Sequence, residues 1–518
     1  MTPDRRLSYA EAESRSALLA RGLLAEGLGK GSRVGVLFPN GPEWVLAFLA
    51  ATRIGAVLVP LNTFSRAREL AFALRHADVD TLLACDRFLG HDYLARLEEC
   101  APGLSGSSHE PLALPELPLL RRVLVFGACD RSWAREGPAR LAALARERRG
   151  FGAALLEEIE RCVAPADPLA IVYSSGSAAE PKGAVFAQGP LLRYVARLLP
   201  LRGLGPDDRV YTGMPFFWTG GFVYALLGCL QAGATLLSQA SFEAGAALEL
   251  MERERATLAL GWPHTAKAMA EHPSFATRDL RSLRGGNLYA ILPEALRPAS
   301  PEHRANSLGM TETGGPHCFG DLDAELPPRL RGTFGRPVPG IEHRIADPRT
   351  GETLPPGADG EILVRGPNLM LGLHKVEREA CFDPDGFYHT GDGGHFDAEG
   401  HLHFAGRLGE TIKTRGANVS PREVELVLEA LPEVKHAYVV GLADPVEGQV
   451  VIAAVALNEG SAIAAEALRE RAAAGLSAYK LPRHILFFAA AELPFLDSAK
   501  IDKRRLAELV AARLGSAA

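Results

Sequence analysis

Residues 169–186 read LAIVYSSGSAAEPKGAVF, and this stretch is the best guide to both architecture and chemistry. Two short apolar runs, typical of buried strands, enclose a loop of small and hydroxyl-bearing residues. Small residues let backbone N–H groups approach an anion, Ser174, Ser175 and Ser177 add donors, and Lys182 adds positive charge. The loop therefore indicates an anion site, although a polar surface turn is the alternative. A Walker loop is excluded, because GxxxxGK[ST] is absent and a strand follows.

Two apolar stretches on either side of this loop, residues 45–61 and 221–237, resemble each other. Each predicts a helix that ends at a glycine, Gly55 or Gly233, because glycine supplies the left-handed conformation that stops a helix. The short apolar strand that follows has no polar alternation, which is typical of a parallel sheet covered on both faces. We therefore expect an α/β fold with two related α/β subdomains.

The pattern changes twice in the C-terminal part of the chain. From about Gly332, short segments punctuated by Gly and Asp predict antiparallel strands and a small barrel-like part. From Ser420, alternating helices and strands predict a small α+β unit with its own core. The sequence therefore predicts an N-terminal domain over residues 1–406 and a C-terminal domain over residues 407–518.

Composition and charge narrow the functional classes. The 518 residues include 56 basic and 62 acidic side chains, a net charge of −6, which argues against nucleic acid as a partner. The seven cysteines are scattered without CxxC spacing, so neither zinc nor a disulfide framework is expected. The N-terminus lacks a secretory h-region, and no run reaches 18 clean apolar residues. We therefore expect a cytoplasmic protein without a transmembrane segment.

Four further segments carry groups suited to nucleotide chemistry. In residues 306–312 (NSLGMTE), a hydroxyl and a carboxylate after glycine are able to hold a phosphate with its Mg²⁺, although a helix N-cap is an equal alternative. In residues 386–394 (GFYHTGDGG), an aspartate in a glycine turn suits ribose hydroxyls, or is simply an Asp-Gly turn. The other two are residues 406–425, at the domain boundary, and residues 493–506, a basic run that is a solvated face on the alternative interpretation.

Four histidines in or near residues 386–394 raise the question of a metal site. They are His389, His395, His401 and His403. Their spacing matches no zinc pattern and no acid-rich set of supporting residues is evident, so we expect no metal there.

In order and spacing, these five segments resemble the adenylate-forming superfamily, which includes acyl-CoA synthetases, firefly luciferase and peptide-synthetase adenylation domains. The resemblance runs from about Leu7 to Leu506. It implies that the first loop holds pyrophosphate, that Thr311 and Glu312 contact phosphate and Mg²⁺, and that Asp392 binds the ribose. The implied ATP- and AMP-binding residues are Ser174, Ser175, Gly176, Ser177, Lys182, Gly309, Met310, Thr311, Asp392 and Arg407.

The resemblance also implies how the two domains share the work. Lys500 falls on the family's catalytic lysine, beside Thr311 and Glu312 as catalytic residues. Gly409 falls on the hinge about which a small, mobile C-terminal domain rotates between two half-reactions. Trp218, Gly220 and Gly221 fall on the acyl pocket, and we expect the glycine pair to leave room for a bulky or long tail.

Several positions depart from the family pattern. Ala178 and Ala179 replace Thr and Gly in the first loop, Leu308 replaces the aromatic residue that stacks on adenine, and Trp218 replaces a frequent histidine. The hinge position is a glycine instead of an acid or a lysine. These changes affect adenine affinity and rate more directly than the class of reaction.

The implied activity is that of an ATP-dependent acyl-CoA synthetase, which converts a carboxylate, ATP and CoA into acyl-CoA, AMP and pyrophosphate with Mg²⁺. No carrier domain follows Ala518, which favours free CoA as the acceptor. No aspartate near residues 216–218 is available for a substrate ammonium, so a fatty, aromatic or alicyclic acid is expected. The alternatives are an acyl-AMP ligase with another acceptor and a non-catalytic nucleotide-binding relative, and a homodimer is left open.

Overall fold

The computed structural model describes the whole chain except residues 109–110, 149, 175–180, 301–302, 323, 409–411, 420, 495–500 and 516–518. Internal contacts divide the chain into two units. The first unit comprises Met1–Thr63, Leu70–Tyr173 and Gly183–Gly406. The second unit comprises Phe64–Glu69, Ser174–Lys182 and Arg407–Ala518.

The α-helices of the described residues are short to medium in length, and none is both long and apolar enough to cross a lipid bilayer. They are α1 (Tyr9–Ala25), α2 (Pro42–Arg53), α3 (Ala67–His76), α4 (Tyr93–Cys100), α5 (Gly137–Glu147), α6 (Ala153–Cys162), α7 (Gln188–Leu201), α8 (Gly228–Ala232), α9 (Ala244–Arg253), α10 (Pro263–Ala270), α11 (Pro421–Glu429), α12 (Ala465–Ala472) and α13 (Lys503–Gly515).

The strands are mostly short. They are β1 (Arg33–Leu37), β2 (Val57–Pro60), β3 (Thr81–Cys85), β4 (Arg87–Phe88), β5 (His91–Asp92), β6 (Arg122–Phe126), β7 (Arg135–Glu136), β8 (Pro168–Ser174), β9 (Lys182–Ala187), β10 (Arg209–Thr212), β11 (Thr235–Ser238), β12 (Leu258–Leu260), β13 (Gly285–Gly286), β14 (Leu308–Met310), β15 (Gly315–Phe319), β16 (Arg336–Pro337), β17 (Glu342–Ala346), β18 (Gly360–Arg365), β19 (Gly372–Leu373), β20 (Tyr388–Phe396), β21 (Leu402–Arg407), β22 (Ile412–Thr414), β23 (Ala417–Val419), β24 (Val434–Asp444), β25 (Gly448–Leu457) and β26 (His484–Phe487).

The largest sheet has the strand order β19-β9-β8-β2-β1-β3-β6-β7. Its central strands are parallel and buried almost without interruption, as apolar strands covered on both faces must be. The strands β8 and β9 are neighbours, so the small-residue loop joins adjacent strands of this sheet. Helices α1 and α2 pack against each other, and α2 also packs on β1 and β2.

A second parallel sheet, β11-β10-β12-β13, repeats the arrangement with its own core of residues such as Tyr211, Leu248 and Met251. As predicted, a glycine with positive φ follows each of the two helices that lead into a short apolar strand. Gly55, with φ of +68°, lies between α2 and β2, and Gly233, with φ of +71°, lies between α8 and β11. The two sheets confirm the predicted α/β class with two α/β subdomains.

Two antiparallel sheets complete the first unit. One has the order β14-β15-β16 and the other the order β17-β18-β20-β21. These sheets hold the segments predicted to contact phosphate and ribose. The antiparallel strands expected after Gly332 are therefore present.

The second unit is a small α+β body built on the long antiparallel pair β24–β25. A separate apolar cluster lies on each face of this pair, one containing Val424 and Leu468, the other Ile452 and Leu506. Because both faces are covered, the unit has its own core, as the sequence predicts.

Candidate functional site

The Thr311–Glu312 pair lies on a single tight turn. Strand β14 leads into a 3₁₀ turn over Thr311–Thr313, which Gly314 ends with φ of +69°. The Thr313 hydroxyl accepts the Met310 N–H at 3.1 Å and lies 2.7 Å from the Gly315 carbonyl, so it closes the turn from inside. The turn is therefore set by its own residues.

Neighbouring segments hold the same turn from outside. Met370 N–H donates to the Glu312 carbonyl at 2.9 Å, and the Asn368 side chain donates to the Thr313 carbonyl at 2.7 Å. Glu312 is buried, with 7% of its surface exposed. A buried carboxylate on a rigid turn is a hard oxygen donor of the kind that Mg²⁺ prefers, so Glu312 fits the predicted metal role.

Gly309 permits the approach of β14 to β15. A Cβ at this position would collide with the Gly315 carbonyl oxygen and would lie 2.7 Å from the Pro316 Cα. The next residues of β15 are anchored by the Tyr194 hydroxyl, which donates to the Pro316 carbonyl at 2.6 Å. Burial raises the pKa of Tyr194 well above its usual value, so this donor stays protonated.

The predicted ribose-binding aspartate lies on a β-bulge of β20. Residues 390–392 stand opposite the single residue Ile362 of β18, between two regular strand pairs. The Thr390 hydroxyl donates to the Ile362 carbonyl at 2.6 Å, which supplies the partner that the bulge takes away. Gly391 has φ of +70°, and its N–H donates to the Glu361 carboxylate at 3.0 Å.

The bulge also orients Asp392 itself. The Asp392 N–H donates to the Thr390 hydroxyl at 3.0 Å, so one threonine bridges both strands. Asp392 is buried, with 3% exposed. Sequence reasoning identified Asp392 but missed Glu361, whose only sequence signal is an acid on a strand 31 positions earlier.

An aromatic row lies where the acyl pocket is predicted. The Trp218 ring packs edge-on against Trp262, with centroids 5.8 Å apart, and Trp262 stacks on His264 at the same distance. All three side chains are only partly buried. Sequence reasoning found Trp218 and missed the other two. They lie in residues 261–264 (GWPH), a stretch that matches no motif singled out from the sequence.

The glycine pair beside Trp218 has two different roles. Gly221 is buried, and a Cβ there would collide with the Pro215 carbonyl oxygen, so Gly221 contributes no room for an acyl tail. A Cβ on Gly220 would meet only the Met214 side chain, whose sulfur lies 3.0 Å away. The segment Gly220–Leu227 is a π-helix, where the sequence predicts an α-helix, and such segments are frequent at functional sites.

The small-residue loop is described at its two ends. Ser174 ends β8 and Lys182 opens β9, whereas Ser175, Gly176 and Ser177 lie outside the described residues. In the first unit, the Tyr173 hydroxyl lies 2.8 Å from His76 Nδ1, and burial raises the pKa of Tyr173.

Two other predicted residues, Gly409 and Lys500, also lie outside the described residues, as does the side chain of Arg407. The four histidines of the rejected metal cluster each contact a carboxylate: His389 lies 2.9 Å from Glu361, His395 lies 2.7 Å from Asp359, and His401 and His403 both contact Asp397.

Comparisons with known proteins identify the family of the chain. The family model of AMP-binding enzymes matches residues 2–374, and the model of the AMP-binding enzyme C-terminal domain matches residues 423–500. The chain is 32% identical to an indoleacetate–CoA ligase of Aromatoleum aromaticum, over 98% of this chain and 94% of that protein. It is 31% identical to a feruloyl-CoA synthase of an Amycolatopsis species, over 96% and 92%.

Solved structures give the same picture of the fold. An amide bond synthetase from Marinactinospora thermotolerans superimposes with a TM-score of 0.78 at 27% identity, over 97% of this chain and 95% of that chain.

Proposed function

Because the chain belongs to the AMP-binding enzyme family and has relatives that are AMP-forming acid–thiol ligases, we propose that it is an acyl-CoA synthetase for an apolar, ring-bearing carboxylic acid. The observation that supports the reaction most directly is the rigid turn that presents Glu312. The fold supplies a second fixed carboxylate, Asp392, on the bulge of β20.

The first half-reaction activates the acid. A carboxylate is a poor acylating agent because oxide is a poor leaving group, so the acid attacks the α-phosphorus of ATP and pyrophosphate leaves. Acyl-AMP remains. The difficulty is that several anions must meet, and charges held in place before the reaction lower this barrier most effectively.

Residues of this chain take separate parts in that step. Asp392 accepts hydrogen bonds from the ribose hydroxyls and orients the nucleotide. On the family's pattern, the loop from Ser174 to Lys182 would donate to the departing pyrophosphate. On the same pattern, Lys500 would contact both the carboxylate and the phosphate, so its effect would fall mainly on the transition state. Glu312 would hold Mg²⁺, which when bound supplies positive charge against the phosphates of ATP.

The second half-reaction transfers the acyl group. The thiol of CoA attacks the acyl carbon, the bond to the phosphate oxygen breaks, and AMP leaves. On the family's pattern, the C-terminal domain turns about Gly409 between the two steps, withdrawing Lys500 and admitting the thiol.

The aromatic row supports a ring in the acid. Trp218, Trp262 and His264 are partly exposed, and flat rings prefer edge-on or offset contacts with other flat rings. Two relatives are named for indoleacetate and for a feruloyl group, both of which carry an aromatic ring. Aromatic and alicyclic acids are therefore the first to test, ahead of fatty acids.

The test is ATP- and CoA-dependent pyrophosphate release across aromatic, alicyclic and fatty acids, with mass spectrometry of the products. We expect acyl-CoA from a ring-bearing subset. Glu312→Gln should lose most of this activity, whereas Glu399→Gln, an exposed carboxylate in the same unit, should keep it. Equal rates for straight-chain and ring-bearing acids would refute the substrate class, and normal rates for Glu312→Gln would refute its role.

A second candidate is an acyl-AMP ligase that passes the acyl group to an amine. The structural similarity to an amide bond synthetase favours it. Replacing CoA by a panel of amines in the same assay separates the two: an amide product formed faster than acyl-CoA would favour the second candidate.

A further inference from the structure

A histidine–cysteine–histidine cluster lies in the first unit, apart from the residues assigned to the reaction. It consists of His317 and Cys318 on β15 and His343 on β17. Among the described residues, this is the group of three or more histidine, cysteine or acidic side chains whose donor atoms converge as metal ligands do. We propose that this cluster binds one zinc ion.

Two of the three distances between the donor atoms, both measured from His343 Nε2, are close to those of a zinc site. His343 Nε2 lies 2.8 Å from His317 Nδ1 and 3.4 Å from Cys318 Sγ, and all three donor atoms lie within 4.8 Å of one another. Tetrahedral zinc, with bonds of about 2.0 Å to nitrogen and about 2.3 Å to sulfur, separates two nitrogens by about 3.3 Å and nitrogen from sulfur by about 3.5 Å. The two rings therefore need to part by about 0.5 Å on the same estimate.

The chemistry of the donors selects the class of metal. Two imidazoles and one thiolate are soft to borderline ligands, which suit zinc and disfavour Mg²⁺ or Ca²⁺. His317 and Cys318 are both fully buried, so the site is held by packed strands. The described residues supply three donors, and a water molecule would complete the tetrahedron.

The second nitrogen of each histidine ring, on the side away from the cluster, predicts a moderate affinity for zinc. His317 Nε2 and His343 Nδ1 are buried without a hydrogen-bond partner. Zinc-bound histidines usually donate from this second nitrogen, and loss of such a partner typically lowers metal affinity 10- to 100-fold. The site should therefore bind zinc more weakly, by about that factor, than a site with both rear partners present.

The position of the cluster gives the ion a structural consequence. Strand β15 follows the Glu312 turn directly, whereas β17 belongs to the sheet whose bulge carries Asp392. A zinc ion bound to both strands would cross-link the two antiparallel sheets of the first unit. Because zinc should bind the folded arrangement more tightly than the unfolded chain, it should raise the thermal midpoint of that unit.

The experiment uses the full-length, tag-free chain, equilibrated with zinc and then freed of excess. Metal analysis should find about one zinc per chain. Cobalt substitution should give the intense thiolate-to-metal charge-transfer absorption that imidazole and water ligands do not produce. Both signals should be lost in Cys318→Ser and in His343→Asn, and should persist in the control Cys381→Ser, a buried cysteine of the same unit outside the cluster.

Two outcomes would overturn the proposal. One is a folded wild-type chain that retains no more zinc than Cys318→Ser. The other is cobalt binding without a charge-transfer band in the wild type, which would place the metal elsewhere and leave the two histidines as a hydrogen-bonded pair. Circular dichroism and the thermal midpoint without metal establish that each variant is folded.

Discussion

The threonine of the β20 bulge is the sharpest point at which to test the predicted nucleotide site. Thr390→Val keeps the shape of the side chain and removes the hydroxyl. That hydroxyl donates to the Ile362 carbonyl and accepts the Asp392 N–H, at 2.6 and 3.0 Å. The variant therefore loses both bonds that tie the bulge across the two strands and set the direction of Asp392.

The size of the expected effect follows from the burial of the two groups that lose their hydrogen-bond partner. Ile362 and Asp392 are 0% and 3% exposed, so water cannot readily replace the lost partner on either strand. A buried polar group left without its partner costs about 1–3 kcal/mol. With two such groups and some local relaxation, the bulge should be destabilised by about 2–4 kcal/mol. Expressed in nucleotide binding, each 1.4 kcal/mol lost raises the dissociation constant about tenfold.

If the whole loss is expressed in binding, we expect Thr390→Val to bind ATP about 30- to 700-fold more weakly than the wild type. Thr390→Ser is the matched control, because it keeps the hydroxyl and should stay close to the wild type. Calorimetric ATP titration measures the affinity, and circular dichroism confirms that each variant is folded. Asp392→Asn supplies the reference for losing the carboxylate itself.

The two variants distinguish an error about the bulge from an error about the ribose role of Asp392. If Asp392→Asn weakens ATP binding and Thr390→Val does not, the reasoning about the bulge is wrong. If neither variant affects ATP binding, the ribose role of Asp392 is wrong as well.

Further predictions concern the turn, the acid pocket and the two half-reactions. Gly309→Ala should unfold at a lower temperature because its Cβ meets the β15 backbone, whereas Gly29→Ala, with open space around it, should not; equal midpoints would contradict the clash. Trp262→Ala should raise KM for a ring-bearing acid and leave KM for ATP unchanged. Lys500→Ala should abolish pyrophosphate release yet convert supplied acyl-AMP to acyl-CoA. Gly409→Pro should slow thioester formation more than adenylation, and equal losses in the two assays would refute the pivot.

Local sequence signals predicted the helices and strands well where one residue decides the outcome. Gly55 and Gly233 stop their helices because glycine, which has no Cβ, adopts the left-handed conformation without a steric penalty. The π-helix over Gly220–Leu227 was not predictable in this way. Its apolar pattern is equally typical of an α-helix, so the sequence carries no signal for the π-helical hydrogen bonding.

The residues of the candidate site show the same difference between what local sequence signals and what packing reveal. The ordered set of motifs, through the family resemblance, predicted Glu312 and Asp392 as site residues, because a carboxylate beside glycines in a fixed order is visible in the sequence. The groups that hold them in place, Asn368 and Glu361, carry no such signal, since their distance along the chain is arbitrary.

The sequence by itself determined the α/β class, the small α+β unit and the family, since uniform apolar runs, helix-ending glycines and ordered motifs are properties of neighbouring residues. Only the tertiary structure decided the bulge at Thr390, the closeness of Gly221 to the backbone, and the meeting of His317 and Cys318 with His343. Each of these depends on which strands or segments pack together. Packing joins residues whose separation along the chain leaves no periodic trace, and so their chemistry appears only in three dimensions.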